Sequence, residues 1–323
     1  MRIDAHAHIV GPAYRAELVQ AATFQPAPAT LAGLLAMMDR FAIDASIVSV
    51  GPPGATIGDR RTARRVARTV NEELAGVVEA APGRLAALGS LPLGDIDDAL
   101  AELAFALDEL SLDGVMLLSN EADTYVGDPS REALLAELDR RGAYVLVHPT
   151  VPAYRPPLAH PPWLYEFPFE TTRVITNLIY GGAFERHRSI RWQFPHLGGT
   201  APFLAGRLSS LAEREPALAT EAPRGADAYL CGPAVSYDTG LSNHAAAIRS
   251  ALQVLLPAQL MFGTDWPYGV LPEAAGDPAP ELVFLDDTAR RALDSERALE
   301  LVPRLGAAKT HVDRSQEEKT SCP

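Results

Sequence analysis

Two periods of apolar residues alternate along this chain. Short runs spaced for a strand give way to longer stretches spaced for a helix, and the pair repeats. The first strand opens at Arg2 and Ile3, runs through Asp4-Ala5-His6-Ala7-His8 to Ile9 and Val10, and breaks at Gly11-Pro12. Thr30 to Phe41 then carries Leu31, Leu34, Leu35 and Met38 at helical spacing. Ile43 to Val50 reads as a buried strand ending at Gly51-Pro52-Pro53-Gly54, and about Asp59 to Ala80 as a long helix. Further strands are expected over Leu85 to Leu91, Gly114 to Leu118, Ala143 to Val147, Ile190 to Phe194, Val235 to Asp238 and Leu260 to Thr264. Helices are expected over Ile96 to Leu110, Arg131 to Arg141, Phe169 to Gly181, Pro202 to Glu213, Asn243 to Leu256 and, in one or two pieces, Thr288 to Leu305. A proline-rich loop containing Pro152, Pro156, Pro157, Pro161 and Pro162 precedes the Phe169 helix. Glu215 to Asp227 reads as a polar surface segment, and residues 307–323 as a disordered polar tail.

Strict alternation of strands and helices implies a parallel sheet. Eight units point to an α/β fold, a (β/α)8 TIM barrel forming one domain over residues 1–306. Its active site would lie at the C-terminal ends of the strands. A doubly wound open sheet is the competing architecture, but the Gly-rich phosphate turn it usually carries after the first strand is missing. The barrel is therefore the expectation.

Composition narrows the chemistry. The 323 residues are 47% apolar, enough for a large core, and carry a net charge of -13. Phosphate binding needs a basic surface, so nucleic acid is not an expected partner. The run Arg60, Arg61, Arg64, Arg65 and Arg68 reads as a wet helix face with acidic partners rather than a nucleic-acid patch. No window approaches 18 uninterrupted apolar residues, so no membrane span is expected. With only Cys231 and Cys322 and no leader-like start, a cytoplasmic protein is the default expectation. The only lysines, Lys309 and Lys319, lie in the tail. Schiff-base chemistry, a Walker lysine and a metal-bridging lysine are thus closed to the body of the fold.

Histidines then stand out by position. On a strand, side chains two residues apart project to the same side, separated by about 7 Å of rise, so His6 and His8 can close on one ion. His148 ends the fifth expected strand, His196 follows the sixth, and Asp265 ends the eighth. Each alone has a plain structural reading: a strand-end histidine can be a hydrogen-bonded scaffold residue, and Asp265 can cap a turn. Five such residues at one end of a barrel point to a metal site. His160, His187, His244 and His311 fall in loops, helices or the tail and read as structural or exposed.

Taken together, Asp4-Ala5-His6-Ala7-His8, Val147-His148-Pro149, His196-Leu197-Gly198-Gly199 and Gly263-Thr264-Asp265-Trp266-Pro267 resemble the marks of the amidohydrolase superfamily. Within it the chain is similar to the amidohydrolase-related decarboxylases typified by 2-amino-3-carboxymuconate-6-semialdehyde decarboxylase. Pro162-Trp163-Leu164, Phe169-Glu170-Thr171-Thr172 and Ala205-Gly206-Arg207-Leu208 extend the resemblance, which runs over residues 1 to about 305. It implies a metal-dependent-hydrolase type of barrel in which His6, His8, His148 and Asp265 bind one divalent ion, zinc first and manganese second. It implies that His196 is the general acid or base, that Trp163 and Tyr268 wall the substrate pocket, and that Arg207 reaches a neighbouring subunit's site in a homodimer. An exposed helix charge is the plainer reading of Arg207. The fourth strand, Gly114 to Leu118, ends in Ser119-Asn120 with no lysine or acid, which favours one ion over two.

One departure bears on substrate. Where the muconate-semialdehyde enzyme holds a substrate carboxylate with an arginine, the matching position is close to Leu34, which is apolar. The chain in this respect resembles the 6-methylsalicylate decarboxylase subgroup. The expected activity is non-oxidative decarboxylation of a small aromatic or unsaturated acid, salicylate-like, with the proton delivered by His196 or Asp265. The alternative is hydrolysis of a lactone, ester or amide by the same mononuclear centre.

Overall fold

Ile3–His8, Ala45–Ser49, Leu85–Ser90, Gly114–Leu118, Tyr144–His148, Arg191–Phe194, Val235–Asp238 and Leu260–Met261 stand side by side in chain order, each parallel to the next. These are the first to eighth barrel strands of the computed structural model. It describes residues 1–306 except 22–24, 122–123, 153 and 155–157. The expected tail, with both lysines, His311 and Cys322, lies outside the described residues, as do Pro156 and Pro157.

The sheet closes on itself. Ala5 N donates to Phe262 O at 2.8 Å, Asp265 N to His6 O at 2.7 Å and His8 N to Trp266 O at 2.8 Å, joining the eighth strand's continuation to the first. The strands are buried almost throughout, because one face fills the barrel and the other meets the helices. On the first strand Ile3, Ala5 and Ala7 alternate with Asp4, His6 and His8, and all six are buried. A register shift between Asp4 and Ala7 interrupts its pairing with the second strand, a bulge at the residue that carries the first imidazole.

The helices form where the apolar spacing places them. Arg60–Ala80 starts at Asp59, whose side chain accepts from Thr62 N at 2.8 Å, and buries Ala63, Val66, Ala67, Val70 and Leu74. Its arginines meet acids, Arg60 and Arg64 at Asp98, Arg65 at Glu17 and Arg68 at Glu102, as a solvated face should.

Several boundaries differ for identifiable reasons. Pro12–Gln20 is an unexpected helix, because its cap is remote: the Glu73 carboxylate accepts from Ala13 N at 2.8 Å and Tyr14 N at 3.0 Å. Glu215 to Asp227 is not simply polar surface. It contains helix Pro216–Glu221 and enters Ala226–Leu230, where Ala226, Tyr229 and Leu230 are buried. The helix expected over Ile96 to Leu110 continues beyond Ala104 as a single π turn, Phe105–Glu109. A second π turn, Ala292–Glu296, separates the two pieces of the last helix. The helix expected from Phe169 starts earlier, at Glu166, and that expected over Asn243 to Leu256 is only Ala245–Ala251. Among the described residues no helix is long and apolar enough to cross a membrane.

Candidate active site

Four side chains from three strand ends converge at the C-terminal mouth of the barrel. His6 and His8 come from the first strand, His148 is the last residue of the fifth, and Asp265 follows the eighth. One ligand atom from each lies within 4.8 Å of the others, and all four residues are buried. The His6, His8 and His148 rings lie 5.0–5.3 Å apart and mostly edge-to-face. That packing suits nitrogens aimed at a common point rather than stacked rings.

The surrounding hydrogen bonds fix which nitrogens are available. His6 Nδ1 lies 3.0 Å from Asp238 Oδ1, and His148 Nδ1 lies 2.8 Å from Pro149 O. Each ring therefore turns its Nε2 toward the centre, the arrangement by which outer partners orient metal-binding histidines. His6 Nε2 is buried and has no hydrogen-bond partner, a costly situation that a cation would relieve. Three imidazoles and a carboxylate are also a suitable donor set for one divalent ion with a position left open. The residues fit a mononuclear centre, and this is the only such cluster among the described residues.

Electrostatics separates the groups. Burial disfavours the Asp265 carboxylate, but His6, His196 and His8 outweigh it and hold Asp265 well below the usual carboxylate range. Burial and the neighbouring His8 and His6 keep His148 well below its ordinary value, and His8 is lowered mainly by burial. His6 goes the other way. Burial opposes its charge, but Asp238 and Asp265 overcome that and push it up to about 9. Asp4, wholly buried beneath His6, is pushed up to about 7 by burial against hydrogen bonds from Thr264.

His196 sits beside the cluster with Nε2 3.3 Å from Asp265 Oδ2 and its ring 5.4 Å from that of His6. Its Nδ1 is buried without a hydrogen-bond partner. The backbone here is unusual: His196, Leu197 and Asp265 have φ of 56°, 55° and 55°. Left-handed conformations at non-glycine residues cost about 1–3 kcal/mol each and persist where the surroundings enforce them. Gly199 completes the turn at φ 65°, where an added Cβ would lie 2.0 Å from Pro168 O.

The remaining residues singled out from sequence are less tightly placed. Tyr268 has its ring 5.8 Å from that of His8 and is partly exposed. Trp163 is 60% exposed in a short turn, Pro162–Leu164, that leads into helix Glu166–Tyr180, whose Phe167 ring lies 6.2 Å from His148. Arg207 is exposed on helix Ala201–Ala212. Leu34, at the departure noted above, is fully buried and faces the core.

Sequence reasoning missed Asp238. It ends the seventh strand, is fully buried, and accepts from Gly240 N at 2.9 Å and Gln193 Nε2 at 2.6 Å besides meeting His6. Its position at a C-terminal strand end was the available signal. A single acid there, without a spaced partner, carries little weight.

Comparison with known proteins sets these features in context. A family model described as amidohydrolase matches residues 3–304. A 6-methylsalicylic acid decarboxylase of Aspergillus aculeatus is 31% identical over 331 residues, covering 96% of this chain and 98% of that protein. The fold is similar to that of 5-carboxyvanillate decarboxylase from Sphingomonas paucimobilis, with TM-score 0.79, 22% identity and 93% and 98% of the two chains covered. It is also similar to a manganese-bound dihydroxybenzoic acid decarboxylase from Polaromonas, with TM-score 0.76, 19% identity and 93% and 96% coverage.

Proposed function

This chain belongs to the amidohydrolase family, in its decarboxylase branch, and from that premise we propose that it removes carbon dioxide non-oxidatively from a small salicylate-like aromatic acid. The observation that carries the reading is the buried convergence of His6, His8, His148 and Asp265, with His196 held against Asp265. Those four ligands would hold one divalent ion, zinc by preference. The manganese in the dihydroxybenzoic acid relative makes manganese the second candidate. When bound, such an ion supplies Lewis acidity that fixes and polarises an ortho-hydroxy carboxylate.

The protein's part is to deliver a proton. Loss of carbon dioxide from an aromatic acid requires protonation of the ring carbon bearing the carboxylate. The electron pair of the breaking carbon–carbon bond then returns to the ring. His196 and Asp265, 3.3 Å apart, can hold that proton between them and hand it on. Help of this kind is worth about 10²–10⁴-fold. Tyr268 and Phe167, whose rings approach His8 and His148, offer apolar walls. Trp163 would border the same pocket. With Leu34 turned into the core, that position supplies no cation for a second carboxylate, which favours a monocarboxylic substrate.

A homodimer fits the surface around this mouth. Trp163, Leu164, Phe169 and Phe203 are exposed on two segments linked by a Thr172–Thr200 hydrogen bond, and Arg207 is exposed on the second. We read residues 1–306 as one catalytic unit. The test is to load the protein with zinc or manganese and assay salicylate, 6-methylsalicylate, dihydroxybenzoates, muconate semialdehydes and simple lactones. Carbon dioxide release from a hydroxybenzoate is the expected result. Lactone opening, with no acid decarboxylated, would overturn it.

A further inference from the structure

Asp238 does more than steady one ring. Its Oδ1 receives three groups: His6 Nδ1 at 3.0 Å, Gly240 N at 2.9 Å and the backbone N–H of His196 at 3.4 Å. Its Oδ2 receives Gln193 Nε2 at 2.6 Å, and the same amide nitrogen donates to Ala5 O at 3.0 Å. One side chain thus binds the first, sixth and seventh strands at the level where they present His6 and His196. From this geometry we infer that Asp238 is a positioning residue coupling the cation-holding His6 to the acid–base His196 through one shared carboxylate oxygen.

The surroundings are built around that pair. A Cβ on Gly240 would lie 2.9 Å from His6 Nδ1 and 3.0 Å from Asp238 Oδ1, and one on Gly263 would lie 3.1 Å from His6 Cβ and 3.2 Å from Asp238 Oδ1. At Gly240 a Cβ forces His6 or Asp238 to shift, and at Gly263 the neighbours would have to give by a few tenths of an ångström. The Oδ1 bond also reaches a backbone that needs holding, because His196 sits at φ 56°. Gln193 cannot turn its amide to suit a neutral replacement, since its Nε2 also donates to the Ala5 carbonyl, which can only accept. An asparagine at 238 that keeps an oxygen toward His6 would point its NH2 at the NH2 of Gln193. The network is matched to a carboxylate.

The inference rests on the decarboxylase reading only for its activity arm. In Asp238→Asn, zinc affinity measured by chelator competition should fall about 10–100-fold, the usual cost of losing a partner behind a metal-binding histidine. With zinc saturating, amide hydrogen exchange over residues 196–199 should be faster than in the parent, and kcat should remain at least tenfold down. Gly240→Ala, which wedges a methyl between His6 and Asp238, should shift the same readouts the same way and serves if Asp238→Asn does not fold. Unchanged zinc affinity in a folded variant would overturn the inference. So would weakened affinity with full recovery of kcat and exchange at saturating zinc, since Asp238 would then act on His6 alone. If the parent decarboxylates nothing, the functional reading fails while affinity and exchange still decide the role of Asp238.

Discussion

The two ends of this barrel treat polar groups in opposite ways. At the amino ends of the strands, charges complete one another. Arg2 pairs with Asp294 at 3.2 Å, Arg84 with Asp39 at 2.7 Å and Arg304 with Asp113 at 2.6 Å, and Asp113 also accepts from Ala87 N at 2.9 Å. At the carboxyl ends, His6 Nε2, His8 Nδ1 and His196 Nδ1 are buried without partners, and His196, Leu197 and Asp265 have left-handed backbones. The amino end is held largely by ion pairs, although Ser46 Oγ and Trp192 Nε1 are buried without partners there and Ala42 and Ser111 have left-handed backbones. The carboxyl end gathers its open nitrogens on the histidines that would hold a cation or a proton. The contrast follows the general division of such barrels into a stabilising and a reactive face.

The contrast breaks most completely if a ligand is removed. His148→Ala should abolish decarboxylation and drop bound metal well below one ion per chain, measured by elemental analysis. Chelation of the parent should do the same reversibly, and added zinc should restore it. A stoichiometry near two ions per chain would contradict the mononuclear reading. The next largest effect belongs to His196→Ala. It should keep its metal yet lose at least about two orders of magnitude in kcat, the low end of acid–base help. Retained activity there would reduce the site to a metal-holding scaffold.

How much of this is legible in the sequence follows from the range over which each signal acts. The His6–His8 pair was readable because a period of two is local, and His148 and Asp265 because each closes an apolar strand. Asp238 was not, since its meaning comes from His6, 232 residues away in sequence. The helix Pro12–Gln20 was missed for the same reason, its cap being Glu73, about 60 residues on. The bulge between Asp4 and Ala7 is likewise a property of strand pairing, with no residue type to announce it. Period reveals elements; long-range hydrogen bonds decide what they present.

The amino end predicts a milder phenotype. Arg304→Ala removes the partner of Asp113 and a bond to Leu85 O, but Arg304 is itself partly exposed. The loss should be about 1–2 kcal/mol in denaturant unfolding of the metal-loaded protein, because the Asp113 side chain is nearly buried and keeps only the bond from Ala87 N. Its kcat and metal content should match the parent. A fall in kcat without a fall in stability would mean that the two ends communicate, against the division drawn here.

The smallest effect sharpens the same point through pH. Glu137, near the end of helix Glu132–Arg141, is pushed down to about 2, chiefly by its hydrogen bond to Arg140 and further by Arg141, with burial in opposition. A carboxylate whose folded pKa lies below its ordinary value stabilises the fold above that ordinary value. The contribution fades as pH falls from about 4.5 toward about 2, where the folded protein also takes up the proton. Glu137→Gln should therefore be slightly less stable than the parent near neutrality, by well under about 1 kcal/mol given its exposure. The gap between the two urea midpoints should close as the pH is lowered through that window. A gap that stays constant with pH would show that the glutamate acts by packing rather than charge, and the amino end would then owe less to its ion pairs than its geometry suggests.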